Sequence, residues 1–154
     1  PPILLEFAEK IKTAHGIVLV APEYNGGYPA SLKNAIDVLN DEWKRKPIAI
    51  STVSAGPFAG MNMITGLQYV LWKIGALTVP ALFPVAMVGN SFDEYGNPSD
   101  KAGTDKRAAA FLKELLWLWR QRENDRIMAV KTITIRMRYG KFRIKPLLLA
   151  AKII

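Results

Sequence analysis

Ala-Pro-Glu-Tyr-Asn-Gly-Gly-Tyr-Pro-Ala-Ser-Leu-Lys-Asn-Ala-Ile-Asp fills residues 21–37, directly behind the apolar run Gly16-Ile17-Val18-Leu19-Val20. A strand of Ile, Val and Leu without polar alternation is the pattern of a strand covered on both faces, as in a parallel sheet between helices. It gives way to a loop carrying Pro22, Pro29 and the Asn25-Gly26-Gly27 turn, after which Ser31 is placed to cap a helix. In an open α/β sheet, ligands lie in the crevice beyond the carboxyl ends of the strands. The loop is therefore positioned to hold something. The plain alternative is a turn in which the prolines and glycines only reverse the chain.

The same alternation continues on either side. Ile3, Leu4, Phe7, Ala8 and Ile11 recur at helical spacing from Pro2 to Ala14, ahead of the strand Gly16 to Ala21. Ser31 to Asn40 reads as a helix with Leu32, Ala35, Ile36 and Leu39 on one face. The charged link Asp41 to Lys46 leads through Pro47 to a second apolar strand, Ile48 to Val53. The glycine-bearing loop Ser54-Ala55-Gly56-Pro57-Phe58-Ala59-Gly60 and a long helix from about Met61 to Ile74 follow. A third strand is expected at Pro84 to Val88, entered through Pro80. Asn90 to Gly103 reads as a polar loop, and a helix runs from Thr104 to about Arg122. Elements of these lengths in this order predict βαβ units and a doubly wound parallel sheet. Beyond Asn124, Val130 to Ile135 reads as a strand, Arg136 to Phe142 as a loop, and Ile144 to Ile153 as a helix with Pro146 in its first turn. The expected organisation is one domain over residues 1–154, with 1–124 as its core and 125–154 as a tail.

Composition narrows the chemistry. Half of the 154 residues are hydrophobic, enough for one domain with a substantial core. With no cysteine, disulfides and thiolate catalysis are excluded. A single histidine, His15, leaves no imidazole set for zinc, and no metal site is expected. No apolar run reaches the ~20 residues of a membrane span, and no signal peptide precedes the first helix, so a cytoplasmic protein without a membrane partner is the default expectation. The first residue is Pro1 rather than Met, which leaves room for an upstream segment. From Ile127 onward there are seven cations and no acid, so the tail supplies +7 of the net +8 charge. A nucleic-acid surface would spread basic charge over a folded face instead.

Pro-Glu-Tyr-Asn, then Pro29 and Leu32-Lys33-Asn34-Ala35-Ile36-Asp37, resembles the signature of the NADPH-dependent FMN reductase family. The likeness covers residues 1 to about 120. It includes Ser54-Ala55-Gly56 to Gly60, Ile74-Gly75-Ala76 before Val79-Pro80, and Phe92-Asp93-Glu94-Tyr95-Gly96. The resemblance implies a flavodoxin-like three-layer α/β/α fold. The family's opening strand, Gly-Ser-x-Arg phosphate loop, first helix and second strand have no counterpart at the amino end. The tail resembles the first three: Thr132 to Ile135 the strand, Arg138 to Phe142 the basic half of the loop, and Leu147 to Ile154 the helix. A permuted or incomplete fold is therefore expected. It is permuted with the tail strand beside Gly16 to Ala21, because chain ends of compact domains lie close together and the apolar edge needs cover. It is incomplete at the edge where the second strand has no counterpart. Ile135 and Arg136 stand where the family has Gly-Ser, removing the small residue that lets backbone N–H groups approach a phosphate.

In such a protein FMN performs the redox step, with NADPH or NADH as co-substrate and a quinone, azo compound or similar acceptor. The resemblance places Pro22, Glu23, Tyr24, Asn25 and Gly26 at the isoalloxazine. Ser54, Ala55, Gly56 and Gly60 fall at its pyrimidine side, and Arg138, Lys141 and Phe142 at the phosphate. No side chain is required as a catalytic acid or base. Asp37 and Asn34 are expected to hold the loop from the helix side, Lys33 to face solvent, and His15 to be a helix-end residue. Trp72, Trp117 and Trp119 are expected to pack. Some of them, with Trp43 and Phe58, are candidates for the interface of a dimer or tetramer. Two other readings stay open: a flavodoxin-like binding or structural protein that has lost its cofactor, and a basic tail acting as an arm for nucleic acid or anionic membrane.

Overall fold

The computed structural model describes residues 2–129. Helix α1 (Pro2–Thr13) leads to strand β1 (Ile17–Pro22), helix α2 (Ala30–Asp37), strand β2 (Pro47–Val53), helix α3 (Met63–Lys73) and strand β3 (Leu77–Val85). A short helix α4 (Val88–Ser91) and the long α5 (Lys101–Ala129) complete the order. The three strands form one parallel sheet, β1-β2-β3. β1 and β2 run in step from Ile17 opposite Ile48 to Pro22 opposite Val53.

Alternation of side chains across the pleat makes two cores. Ile48 and Ile50 face one side, where Ile11 of α1, Ile36 of α2 and Met63, Leu67 and Leu71 of α3 cover them. Ala49 faces the other, joined by Val79 and Phe83 of β3 and Ala108, Phe111 and Leu115 of α5. Helices thus lie on both faces, as the three-layer expectation required. β2 is buried along nearly its whole length, whereas β1 is only half covered and Val20 is 40% exposed. The difference follows from position: β1 has a neighbour on one side only among the described residues.

Several boundaries differ from the sequence reading. The third strand starts at Leu77, not Pro84, and contains both Pro80 and Pro84. Proline lacks an N–H and is tolerated at a sheet edge or bulge. β3 supplies both: it is an edge strand among the described residues, and its register against β2 slips between Ile48 and Ile50 with Pro80 in the slip. Ser31 does not cap α2. Pro29 stands at that position with extended backbone, and its carbonyl accepts from the N–H groups of Leu32 and Lys33. α2 ends at Asp37 rather than Asn40, and part of the charged link forms a 3-10 turn, Asp41–Trp43. α5 begins at Lys101 rather than Thr104, because the Asp100 carboxylate accepts from the Gly103 N–H and caps it. The same helix runs past Arg122 to Ala129. The expected tail strand, loop and helix, and the permuted order, lie outside the described residues.

Candidate functional site

All three strands point the same way, so the segments after Pro22, Val53 and Val85 emerge at one end of the sheet. After β1, the Tyr24 N–H donates to the Gly27 carbonyl at 2.8 Å, and the Gly27 N–H donates back at 2.9 Å. Asn25 and Gly26 between them have φ of 51° and 78°. This is the two-residue turn with both central residues left-handed that Asn-Gly favours. Tyr24 is 64% exposed beside it.

After β2, the Ser54 N–H donates to the Val85 carbonyl (2.9 Å), and the Val88 N–H to the Ser54 carbonyl (3.0 Å). The Met87 N–H closes on the Gly56 carbonyl (3.0 Å). The second and third loops are thereby laced together, with Met87 itself left-handed at φ 42°. First and second loops are joined through Glu23, whose carboxylate accepts from the Asn62 N–H (2.9 Å) and from Nδ2 of Asn62 (3.0 Å). Gly60 lies under this contact with φ of 72°; a Cβ there would sit 3.2 Å from Cβ of Thr52 and 3.4 Å from Cβ of Glu23.

The sequence-predicted residues therefore divide. Pro22, Glu23, Tyr24, Asn25, Gly26, Ser54, Ala55, Gly56 and Gly60 all lie in or beside these loops. Arg138, Lys141 and Phe142 lie outside the described residues. Tyr24 uses its backbone N–H and carbonyl inside its own turn, and Gly60 is buried. Among the described residues, the N–H groups of Asn25, Gly26, Ala55 and Gly56 take part in none of the loop hydrogen bonds. No heavy atom of the described residues beyond their chain neighbours lies within 4 Å of a Cβ built on Gly26 or Gly56. Unpartnered N–H donors on open backbone, flanked by exposed Tyr24 and Phe58, suit a flat heteroaromatic ring with carbonyl and ring-nitrogen acceptors at its edge. Thr52, buried beneath Gly60, has a hydroxyl without a partner.

Asn62 was not singled out by sequence reasoning, although an Asn directly before an apolar helix is itself a start signal. Asp37 and Asn34 were expected to hold the first loop; Asp37 instead pairs with Lys33 along α2, and Glu23 makes the loop-to-loop contact. Trp43 is 2% exposed, its indole N–H donating to the Ile36 carbonyl, so it is core rather than interface. Trp119 packs as expected, against buried His15 two residues beyond α1 (ring centroids 5.2 Å). Trp72 and Trp117 are 68% and 57% exposed and do not pack in the core. A further loop, 92–98, follows α4. There Asp93 accepts from the Tyr95 and Asn97 N–H groups and from the Asn97 side chain. The Asn97 side-chain bond, then its backbone N–H, holds the Asp93 carboxyl below its usual range. Among the described residues, no three His, Cys, Asp or Glu gather for a metal ion, and no helix is long and apolar enough to cross a membrane.

The family model described as NADPH-dependent FMN reductase matches residues 1–90. The chain is 46% identical over 79 residues to an NAD(P)H-dependent FMN reductase of Schizosaccharomyces pombe, covering 49% of this chain and 38% of that one. It is 32% identical over 110 residues to a quinone reductase of Pseudomonas putida, covering 66% and 58%. It is 35% identical over 81 residues to an NADPH azoreductase of a Bacillus species, covering 49% and 46%. In each case the chain spans less than two thirds of the relative's length. Among solved structures, the flavoenzyme NAD(P)H:(acceptor) oxidoreductase FerB of Paracoccus denitrificans superposes with a TM-score of 0.65. That match has 23% identity and covers 77% of this chain and 68% of FerB; it speaks to the fold alone.

Proposed function

We propose a function from one premise: the chain belongs to the NADPH-dependent FMN reductase family. It is an FMN-dependent oxidoreductase that uses NADPH or NADH to reduce a quinone, azo compound or similar small acceptor. The observation that carries this reading is the group of laced loops at the strand ends, with N–H donors at Asn25, Gly26, Ala55 and Gly56 that have no partner among the described residues. When bound, the flavin supplies the hydride and electron chemistry. The chain supplies position. The left-handed Asn25-Gly26 pair presents its N–H groups at the tip of the first loop, and Ala55 and Gly56 present theirs from the second. Tyr24 and Phe58 offer apolar faces beside them. No side chain has to move a proton.

The test is reconstitution. Protein incubated with FMN and desalted is expected to stay yellow and to oxidise NAD(P)H with saturable dependence on a quinone. Tyr24→Ala and Asn25→Ala should weaken FMN retention or alter turnover. A colourless protein that gains no FMN and shows no turnover with excess flavin overturns the reading and favours a fold that has lost its cofactor.

The same reading carries a cytoplasmic homo-oligomer, a dimer or tetramer. What supports the oligomer is the outer face of α3, where exposed Tyr69 and Trp72 lie side by side, ring centroids 5.9 Å apart and planes tilted by 39°. Exposed aromatic pairs of this kind are characteristic of subunit interfaces. Trp72→Glu is expected to lower the mass seen by sedimentation; an unchanged mass removes α3 from the interface.

A further inference from the structure

Glu23 stands in the first loop, and its side chain reaches away from the turn and across to the next loop. Its two carboxylate oxygens take the backbone N–H of Asn62 at 2.9 Å and the Asn62 Nδ2 at 3.0 Å. Asn62 stands immediately before α3, so the contact joins the end of β1 to the start of that helix. Gly60 lies against the base of this bridge, between Thr52 of β2 and Glu23, where a side chain would meet both. We propose that Glu23 and Asn62 form a clamp that positions the Tyr24–Gly27 turn against the Ser54–Asn62 loop and so sets the width of the ligand crevice. Glu23 is thus a positioning residue, not a catalytic one.

Three observations make the clamp specific. The bond is bidentate and charge-assisted, the strong class of hydrogen bond. Among the loop contacts described, it is the side-chain link between the first and second loops, while the second and third are linked by backbone alone. Finally, among the described residues the Tyr24–Gly27 turn closes only on itself through its backbone. Tyr28 anchors its far end in the core beside Gly66 of α3, and Glu23 is what ties its near end to the second loop. A crevice whose donors must meet a rigid ring at fixed spacing loses affinity when one wall drifts by an ångström.

The ligand arm of the test rests on the FMN reading; the other arm does not. In the protein without ligand, amide hydrogen exchange at Tyr24 and Gly27 is expected to quicken about tenfold or more in Glu23→Ala. It should quicken less in Asn62→Ala, which keeps the backbone donor, and by an intermediate amount in Glu23→Gln. There one amide oxygen can keep the Asn62 N–H and the NH2 can meet Asn62 Oδ1 once that side-chain amide turns over, without the charge. In FMN titrations, Glu23→Ala should weaken binding by about tenfold or more, with Glu23→Gln restoring part of it. Glu23→Ala combined with Asn62→Ala should be no weaker than Glu23→Ala alone. Unchanged exchange in Glu23→Ala overturns the clamp. So does additivity of the two alanine variants in FMN affinity, or a fall in thermal stability with FMN affinity intact. If the parent binds no FMN, the FMN reading falls, and the exchange arm alone decides the clamp.

Discussion

Lys46 is a charged residue almost wholly inside the protein, and its place explains why. Its ammonium donates to the carbonyls of Lys12 (3.0 Å) and Ala14 (2.6 Å), groups left without helical partners where α1 ends. A cation there also meets the negative end of the helix dipole. Replacing it by an apolar chain of similar length removes this donor from two part-buried carbonyls. Lys46→Met is therefore expected to cost about 1–3 kcal/mol in urea unfolding, and a parent-like midpoint would show that the cap contributes nothing. Glycines separate in the same way. Gly26 and Gly60 both have positive φ, but a Cβ at Gly26 meets open space while one at Gly60 meets Thr52 and Glu23. Gly26→Ala is expected to cost about 1–2 kcal/mol for its backbone alone. Gly60→Ala should cost visibly more, since crowding adds to the same strain. Equal melting temperatures for the two variants would mean that the loop yields around Gly60 freely.

Elements were legible where their own sequence determines them and less so where neighbours do. α3 ends as its sequence dictates. Gly75 adopts φ of 77°, with the Ala76 N–H on the Leu71 carbonyl and the Gly75 N–H on the Trp72 carbonyl, the paired bonds of a glycine-terminated helix. β3 was misplaced because Pro80 and Pro84 break strands in isolation; only its edge position and its slipped register make them harmless. Pro29, not Ser31, opens α2, because a fixed φ of −61° with extended ψ turns the chain into the helix without a side-chain cap. The loop 92–98 has an internal cause that pH can test. Asp93 gathers donors from Tyr95 and Asn97, and the Asn97 side chain, the largest influence, keeps its carboxyl ionised to lower pH than usual. A carboxyl held low in the folded state contributes stability that is fully present above the unfolded value near about pH 4. That contribution fades as pH falls and is gone below the folded value. Proteolysis or exchange at residues 93–97 should therefore accelerate on acidification below pH ~4. In Asp93→Asn the loop should be loose at neutral pH and largely indifferent to acid. An equally acid-sensitive Asp93→Asn loop would place the titrating group elsewhere.

At the scale of the whole molecule, the two faces of the sheet are covered unequally. α1, α2 and α3 share one face, whereas α5 is the helix packed on the other among the described residues. Ala108, Phe111, Leu115 and Trp119 of α5 are buried at helical spacing, and Phe111 lies 5.7 Å from Phe83 of β3. The order β1-β2-β3 agrees with the expected sequence of first, second and third strands. Apolarity alone did not fix it, since β1 is apolar throughout and only half covered among the described residues, and the expected tail strand lies outside them. The candidate loops were readable because strand ends in such sheets converge. What could not be read was which tryptophans are core, since helical spacing gives a face but not whether another element covers it. Trp117 and Trp119 stand two residues apart on α5, one outward and one inward. The unequal cover has a mechanical consequence. β2 and β3 carry two of the three site loops, and on one side they rest on α5 through few large side chains. Phe111→Ala is expected to lose about 3–5 kcal/mol, the usual cost of emptying a buried aromatic site. It should loosen exchange in β2 and β3 together, because both strands share that cover. Trp117→Ala, on the same helix but facing out, should stay within about 0.5 kcal/mol of the parent. If Trp117→Ala proves as damaging as Phe111→Ala, α5 has a second packed face, and Trp117 is buried by another copy of the chain.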